Sequence, residues 1–321
     1  MSQKIFVVED DAITAEQLKQ YIEEMGYQFA GKADNAEDAL DRIAQTQPDL
    51  VLMDIHLKGE MDGIDAAAQL HADNLAPVIY LTAYTEDDTL ARAKLTEPLG
   101  YMVKPFIRQE LKASVEMGLY KHEAERKQQR LFDAVVRTIT EMTKLHDPML
   151  AELQPRAAAV AEAMATELGL PGQEVRGIRL AALLHNIGQV AIPTALLYIR
   201  DALQGAEKAY FQSHPEVAWE VLKEIEFPYP VAETVYQHME RLDGSGFPRG
   251  LSGDAILPGA RILAVACRVA KRLTPYGIKP PASVDEVIKE LEDGRGRLFD
   301  AGVVDACIRL FREKGYRLTG A

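Results

Sequence analysis

The sequence predicts a two-part fold: an α/β module built on a doubly wound, five-stranded parallel sheet, joined by a long helix to an all-α module. Three observations carry this. Short apolar runs alternate with helix-length amphipathic stretches over the first 120 residues, a stretch almost free of turn residues follows, and from Asp147 onward the apolar residues recur only at helical spacing. At 321 residues, 47% hydrophobic and 26% charged, the chain is long enough for two globular cores.

The strands are read in KIFVVED (4–10), QFAGKA (28–33), DLVLMD (49–54), VIYLTA (78–83) and YMVKP (101–105). Apolar runs of this kind belong to a parallel sheet covered on both faces. In such sheets function collects at the carboxyl ends of the strands. The first strand ends in Glu9, Asp10 and Asp11, the third in Asp54 and the fourth in Thr82, and Lys104-Pro105 follows the fifth. Carboxylates gathered at one edge repel unless a divalent cation or Lys104 offsets them, and oxygen ligands suit Mg²⁺. One carboxylate can then act as nucleophile towards a phosphoryl donor, with Lys104 and Thr82 holding the transferred oxygens. A lone Asp at a strand end is more often a solvated turn residue; the recurrence of these residue types at successive strand ends points to a shared site.

The acidic pair, central Asp, Thr and Lys-Pro occur in the order that resembles the receiver domain of two-component response regulators, over residues 3–121. The resemblance implies that Asp54 is the phospho-acceptor and that Glu9 and Asp10 hold Mg²⁺ with the backbone carbonyl of His56. It further implies that Thr82 and Lys104 contact the phosphoryl group, and that Tyr101 is the aromatic switch. A sensor histidine kinase is the implied partner. The His56 side chain is expected to face solvent.

Residues 106–145 lack strand alternation and, apart from Gly118, Gly or Pro punctuation. Met117, Ala124, Leu131, Val135, Met142 and Leu145, with Lys121, Gln128 and Thr138 between them, follow a 3–4 spacing. The expectation is that the last helix of a 1–121 module continues through a 122–145 connector, with a seam suited to a two-stranded coiled coil and hence a homodimer. The competing reading is a helix that packs only on its own domain.

The remainder, 146–321, reads as helices: RAAAVAEAMATEL, VRGIRLAALLH, HPEVAWEVLKEI, PVAETVYQHM, ARILAVACRVAKRL and SVDEVIKELE. His185, His214 and His238 fall on or beside separate helices, and imidazoles from several helices can converge on a metal inside a bundle. Each taken singly is more often a hydrogen-bonded core or cap residue.

The strings HNIGQVAIP, SHPEVAWEVL and QHMERLDGSGFPRG, followed by ILAVACRVAKRL, resemble the HD-GYP family of metal-dependent cyclic-di-GMP phosphodiesterases over residues 146–315. The resemblance implies a centre of two or three metals with His and Asp ligands that generates a hydroxide. His185, His214 and His238 match metal ligands. The family's other positions are altered: Asn186 stands for an Asp, Gln189 for a phosphate-binding Lys, Met239 for a His, Cys267 for an Asp and Leu153 for a His. Asn186 supplies no anionic charge to hold two cations together, Met239 is a weak thioether, and a lone Cys on an apolar helix is usually buried and inert. The centre is therefore expected to be degenerate, with room for at most one transition metal on the three histidines. His146 is read as a linker or cap residue.

The loop Arg241, Leu242, Asp243, Gly244, Ser245, Gly246, Phe247 and Pro248 is read as a ligand or partner surface, its glycines allowing a tight turn and Phe247 an apolar anchor. It resembles a docking surface for diguanylate cyclase (GGDEF-type) domains, with Phe247 in place of the family's Tyr. A plain helix-ending loop is the competing reading. The expected function is a response regulator phosphorylated on Asp54 whose catalytically inactive output domain binds protein partners or cyclic-di-GMP. The alternatives are a metal-dependent phosphohydrolase with weak or altered cyclic-dinucleotide activity, and a purely structural dimerisation module. A net charge of -13 argues against nucleic acid and anionic membranes as partners. Cys267 and Cys307 form no paired-Cys zinc spacing or disulfide framework, and neither a signal segment nor an apolar run of about 18 residues is seen, so a cytosolic protein is expected.

Overall fold

The computed structural model describes residues 2–72, 75–83, 87–200, 202–275 and 280–318, so the extreme termini of the 1–121 and 146–321 ranges lie outside the described residues. The chain divides into two compact units, Met1–Leu131 and Phe132–Ala321.

In the first unit, β1 (Lys4–Val8), β2 (Gln28–Ala33), β3 (Leu50–Asp54), β4 (Val78–Thr82) and β5 (Gly100–Val103) form one sheet in the order β2-β1-β3-β4-β5. All four pairings are parallel. Side chains alternate between the faces, as period-2 geometry requires. Phe6, Val8, Val51, Met53 and Tyr80 face one layer with α2 (Ala36–Thr46) and α3 (Gly63–Ala72). Ile5, Val7, Leu50, Leu52, Ile79 and Leu81 face the other, with α1 (Ala12–Glu24) and the start of α5 (Arg108–His146). The side chains of Asp11 and Asn35 cap α1 and α2 by accepting from Thr14 N and Asp38 N, which starts these helices just beyond the strand ends. A short α4 (Asp87–Lys94) precedes β5.

Helix α5 runs unbroken over 39 residues. Leu111, Val115 and Leu119 are buried in the first unit and Val136 in the second. The 3–4 seam lies on other faces: Met117 is 69% exposed, Leu131 66%, Met142 61% and Leu145 84%.

The second unit continues with α6 (Leu150–Glu167), α7 (Gly172–Leu184), a 3₁₀ turn at Ile187–Ala191, α8 (Thr194–Tyr198), α9 (Gly205–Gln212) and α10 (His214–Leu222). Then come α11 (Val231–Gln237), α12 (Pro258–Leu273), α13 (Val284–Gly294) and α14 (Ala301–Ile308). Among the described residues its extended pairing is limited to the isolated bridges Asp243–Ser252 and Arg295–Phe299. The core is drawn chiefly from the Ala- and Val-rich faces of α6, α7 and α12, small residues that let these helices approach closely. Helices α8, α9 and α14, absent from the sequence reading, run for only 5, 8 and 8 residues, too short to display a repeating apolar period.

Two candidate functional sites

At the sheet edge, β1 and β3 end side by side and deliver Glu9, Asp10 and Asp54. One oxygen from each lies within 4.8 Å of the others, and among the described residues no other such group of three His, Cys, Asp or Glu ligand atoms occurs. Lys104, just past β5, is held by its own N–H donating to Thr82 O at 2.7 Å. Its Nζ reaches Glu9 Oε2 and Asp54 Oδ2, each at 2.5 Å. Burial raises the Glu9 pKa, and the nearby Asp54 charge adds to this against the opposing pull of Lys104. Burial also works to lower the Lys104 pKa, but its bonds to Asp54 and Glu9 prevail and the pKa is raised. The ammonium therefore stays charged and offsets the facing carboxylates.

The other positions of this edge are equally ordered. His56 is exposed and its N–H donates to Asp54 Oδ1 at 3.0 Å. Thr82 is buried. Tyr101 stacks on buried Tyr80 with ring centroids 5.7 Å apart, its hydroxyl buried among protein atoms that offer it no hydrogen bond. Lys58, not foreseen, pairs with Asp10 at 3.1 Å. A buried Glu9 oxygen, Oε1, has no hydrogen-bond partner, which fits a cluster able to take one more cation.

The helical unit gathers its three histidines around a cavity of about 160 Å³. Each follows a helix C-terminus, where the last carbonyls lack intrahelical partners. His185 Nδ1 donates to Ala182 O at 2.6 Å, His214 Nδ1 to Phe211 O at 2.8 Å and His238 Nδ1 to Val235 O at 2.7 Å. In all three the same i−3 bond fixes the tautomer and leaves Nε2 as acceptor. Ring centroids lie 5.2 Å apart for His185 and His238, and 5.6 Å for His214 and His238. Burial lowers the pKa of His185 and of His214 to about 4 and that of His238 well below its usual range, so the cluster is neutral.

Gly188 explains the close approach. A Cβ there would meet His214 O at 1.9 Å, so only glycine lets the turn after α7 lie against the start of α10. Leu153, Asn186, Gln189, Met239 and Cys267 all line the cavity. Asn186 Nδ2 lies 2.9 Å from His185 Nε2, and Gln189 Nε2 donates to Asn186 Oδ1 at 2.6 Å. Burial pushes the Cys267 thiol up to about 12, so it offers no thiolate near neutral pH. The sequence reading missed Phe211, Lys271 and Arg200, the last paired with buried Asp147 at 2.7 Å. Nothing in their local sequence singled them out. His146, at the end of α5, uses Nε2 to bond Ile192 O at 2.9 Å.

The loop after α11 departs from its expected form in one respect. Phe247 does not project as an anchor: it is half-buried, edge-on to His214 with centroids 6.3 Å apart, because that packing removes its ring from water. Asp243 Oδ1 accepts from Ser245 N at 3.0 Å and Asp243 Oδ2 pairs with Arg297 at 3.2 Å. A Cβ on Gly246 would meet Glu240 Cα at 2.4 Å. Arg241 lies over the Phe299 ring at 5.3 Å. Buried Glu240, overlooked in the sequence, clamps the loop by accepting from Arg249 N at 2.8 Å and Leu251 N at 3.0 Å. A charged residue set directly before a Gly-rich loop was the available signal.

Fold and sites define a two-module protein, an acidic receiver edge and a helical histidine pocket. The family model described as response regulator receiver domain matches residues 5–116, and that described as HD domain matches residues 137–303. A cyclic di-GMP phosphodiesterase response regulator, RpfG of Xanthomonas campestris pv. campestris, is 30% identical over 95% of this chain and 87% of its own length. A cyclic di-GMP phosphodiesterase of Thermotoga maritima is 28% identical over 96% of this chain and 90% of its own. A solved receiver domain of a modulated diguanylate cyclase from Desulfovibrio desulfuricans is 35% identical, covering 39% of this chain and 99% of that one with a TM-score of 0.38. The chain belongs to the response regulators that carry a receiver domain followed by an HD domain related to cyclic di-GMP phosphodiesterases.

Receivers bind Mg²⁺ through acidic residues and HD domains bind metals. The donor set at the sheet edge fits Mg²⁺, a hard cation that takes oxygen ligands. Among the described residues no carboxylate lines the helical pocket, and such a lining does not fit a pair of cations. Among the described residues no helix is long and apolar enough to cross a membrane.

Proposed function

We propose that this chain receives a phosphoryl group on Asp54 from a sensor histidine kinase and that its HD domain, without hydrolysing a phosphodiester, passes the signal on by binding. The observation that carries the second half is the pocket lining among the described residues: three neutral imidazoles, the amides of Asn186 and Gln189, Cys267 as a thiol, and no carboxylate. Two cations placed close together need anionic oxygens between them, and this lining supplies none.

In the receiver, Glu9, Asp10 and the His56 carbonyl would hold Mg²⁺, which when bound neutralises charge on the incoming phosphoryl oxygens. Lys104, which pairs with Asp54 Oδ2, would pair with one of those oxygens, with the Thr82 hydroxyl on the adjoining strand as a second contact. Phosphorylation would exchange the carboxylate partner of Lys104 for a phosphoryl group. Tyr101, stacked on Tyr80, would report that change. The α5 seam supports a homodimer, and a change in its pairing is the proposed route from receiver to output.

A diguanylate cyclase (GGDEF-type) domain or cyclic-di-GMP is the proposed ligand of the HD domain, through the 241–248 loop and the histidine pocket. A second reading, a weak phosphohydrolase with one transition metal, is favoured by the convergence of the three histidine rings. The deciding experiment incubates the full chain with cyclic-di-GMP and Mn²⁺, with and without beryllofluoride, beside Asp54→Asn. Beryllofluoride-dependent binding without linear product supports the proposal. Product formation supports the second reading, and identical behaviour of Asp54→Asn and activated wild type overturns the phosphorylation step.

A further inference from the structure

The hydrogen bonds around His185 have a fixed direction. The Ala182 carbonyl only accepts, so His185 Nδ1 carries the proton and Nε2 of the neutral ring presents a lone pair. Its neighbour at 2.9 Å must then be a donor, which identifies the Asn186 atom as the Nδ2 amide. Asn186 Oδ1 is thereby turned to accept from Gln189 Nε2 at 2.6 Å. Donors run one way, from Gln189 to Asn186 to His185 to the α7 terminus.

We infer that this relay is a built-in substitute for a cation: the Asn186 amide occupies the His185 lone pair that a metal would need, so the histidine pocket excludes transition metals. His185 is 6% exposed, Asn186 5% and Gln189 4%. A metal at His185 Nε2 would have to displace the amide and strand Asn186 and Gln189 where water hardly reaches. Such buried, unpaired polar groups are costly, and a neutral amide returns no charge to a cation in compensation. Gln189 Oε1, which has no hydrogen-bond partner, marks the open end of the relay.

This rests on the reading of the HD domain as non-hydrolytic only in that both concern one pocket. The test is Co²⁺ titration of chelator-stripped full-length protein with Mg²⁺ in excess to fill the receiver site, read by visible absorption and by equivalents bound. Wild type should show no imidazole-type Co²⁺ band. Asn186→Asp, which removes the donor and adds an anion, should bind one equivalent about tenfold or more tightly than wild type. Asn186→Ala, which only removes the donor, should also bind more tightly than wild type. If Asn186→Ala binds no better than wild type, the amide is not what excludes metal and the inference is overturned. If Asn186→Asp fails to fold, the alanine variant and nitrogen-15 NMR of wild type decide, since a His185 carrying its proton on Nε2 would contradict the relay. Tight Co²⁺ binding by wild type without turnover would sink the inference and leave the proposed function standing. Binding with turnover of cyclic-di-GMP would remove both.

Discussion

Lys104 Nζ lies 2.5 Å from Asp54 Oδ2, and the same ammonium reaches Glu9 Oε2 at an equal distance. A cation supplied by the far side of the sheet thus holds together two carboxylates from β1 and β3 that would otherwise repel. Lys104→Met should therefore lower the stability of the receiver by about 1–3 kcal/mol, the cost of leaving buried charged partners unmatched. Mg²⁺ should restore more of that loss than it adds to wild type, because it can take over the same role. Thermal melts with and without Mg²⁺ check this; equal Mg²⁺ gains in both proteins would count against it.

The histidine pocket predicts a direction for pH dependence. Burial lowers the His185 and His214 pKa values to about 4, below those of the unfolded chain, so the unfolded state binds more protons in between. The stability contributed by keeping these rings neutral is complete above their ordinary range and is lost as pH falls towards about 4. In an NMR titration their imidazole signals should not shift at mildly acidic pH, before the domain unfolds. Ordinary titration of either ring would contradict the arrangement.

Glu240 holds the 241–248 loop through two backbone N–H groups. Glu240→Ala should cost about 1.5–3 kcal/mol, as expected for hydrogen bonds to a charged group. Hydrogen exchange at Arg249 and Leu251 should accelerate while the core of α6 and α12 stays protected. A loop that merely follows the end of α11 would show no such local change.

The exposed seam of α5 predicts self-association through apolar residues. Replacing Leu131 and Met142 together by Lys should turn a dimer into a monomer in sedimentation. Both side chains are exposed, so the fold of the monomer should change by no more than about 0.5 kcal/mol per site. A monomeric wild type, or a variant that still dimerises, would refute the role of the seam.

Burial pushes both thiols, Cys267 and Cys307, up to about 12. Near neutral pH both should be held as thiols, and alkylation in the native state should be slow. Mass spectrometry before and after unfolding measures the contrast. Rapid native alkylation of Cys267 would reopen it as a metal ligand.

How the outcome divides between sequence and fold follows from the range of the forces involved. The strands, the long helix and the helices of the second unit were legible because apolar periodicity is a local property, read directly along the chain. The residues at the sheet edge were legible for a related reason: a parallel sheet brings successive strand ends to one edge, so Glu9, Asp54, Thr82 and Lys104 are neighbours once the strand order is known. Asn186, Gln189 and Cys267 could be noticed singly, as uncharged side chains on or beside the helices that carry the histidines.

What these residues do with one another was decided only by the folded structure. No spacing rule states that Asn186 donates to His185 and accepts from Gln189, that Arg200 pairs with Asp147, or that Phe247 turns in against His214. The first is local, set by the turn after α7; the second joins residues 53 apart in sequence, and the third depends on how α10 meets the loop after α11. The chain itself determined which chemical groups are available. Packing chose which of them share one cavity and how deeply each is buried there, and burial makes a few directed hydrogen bonds decisive.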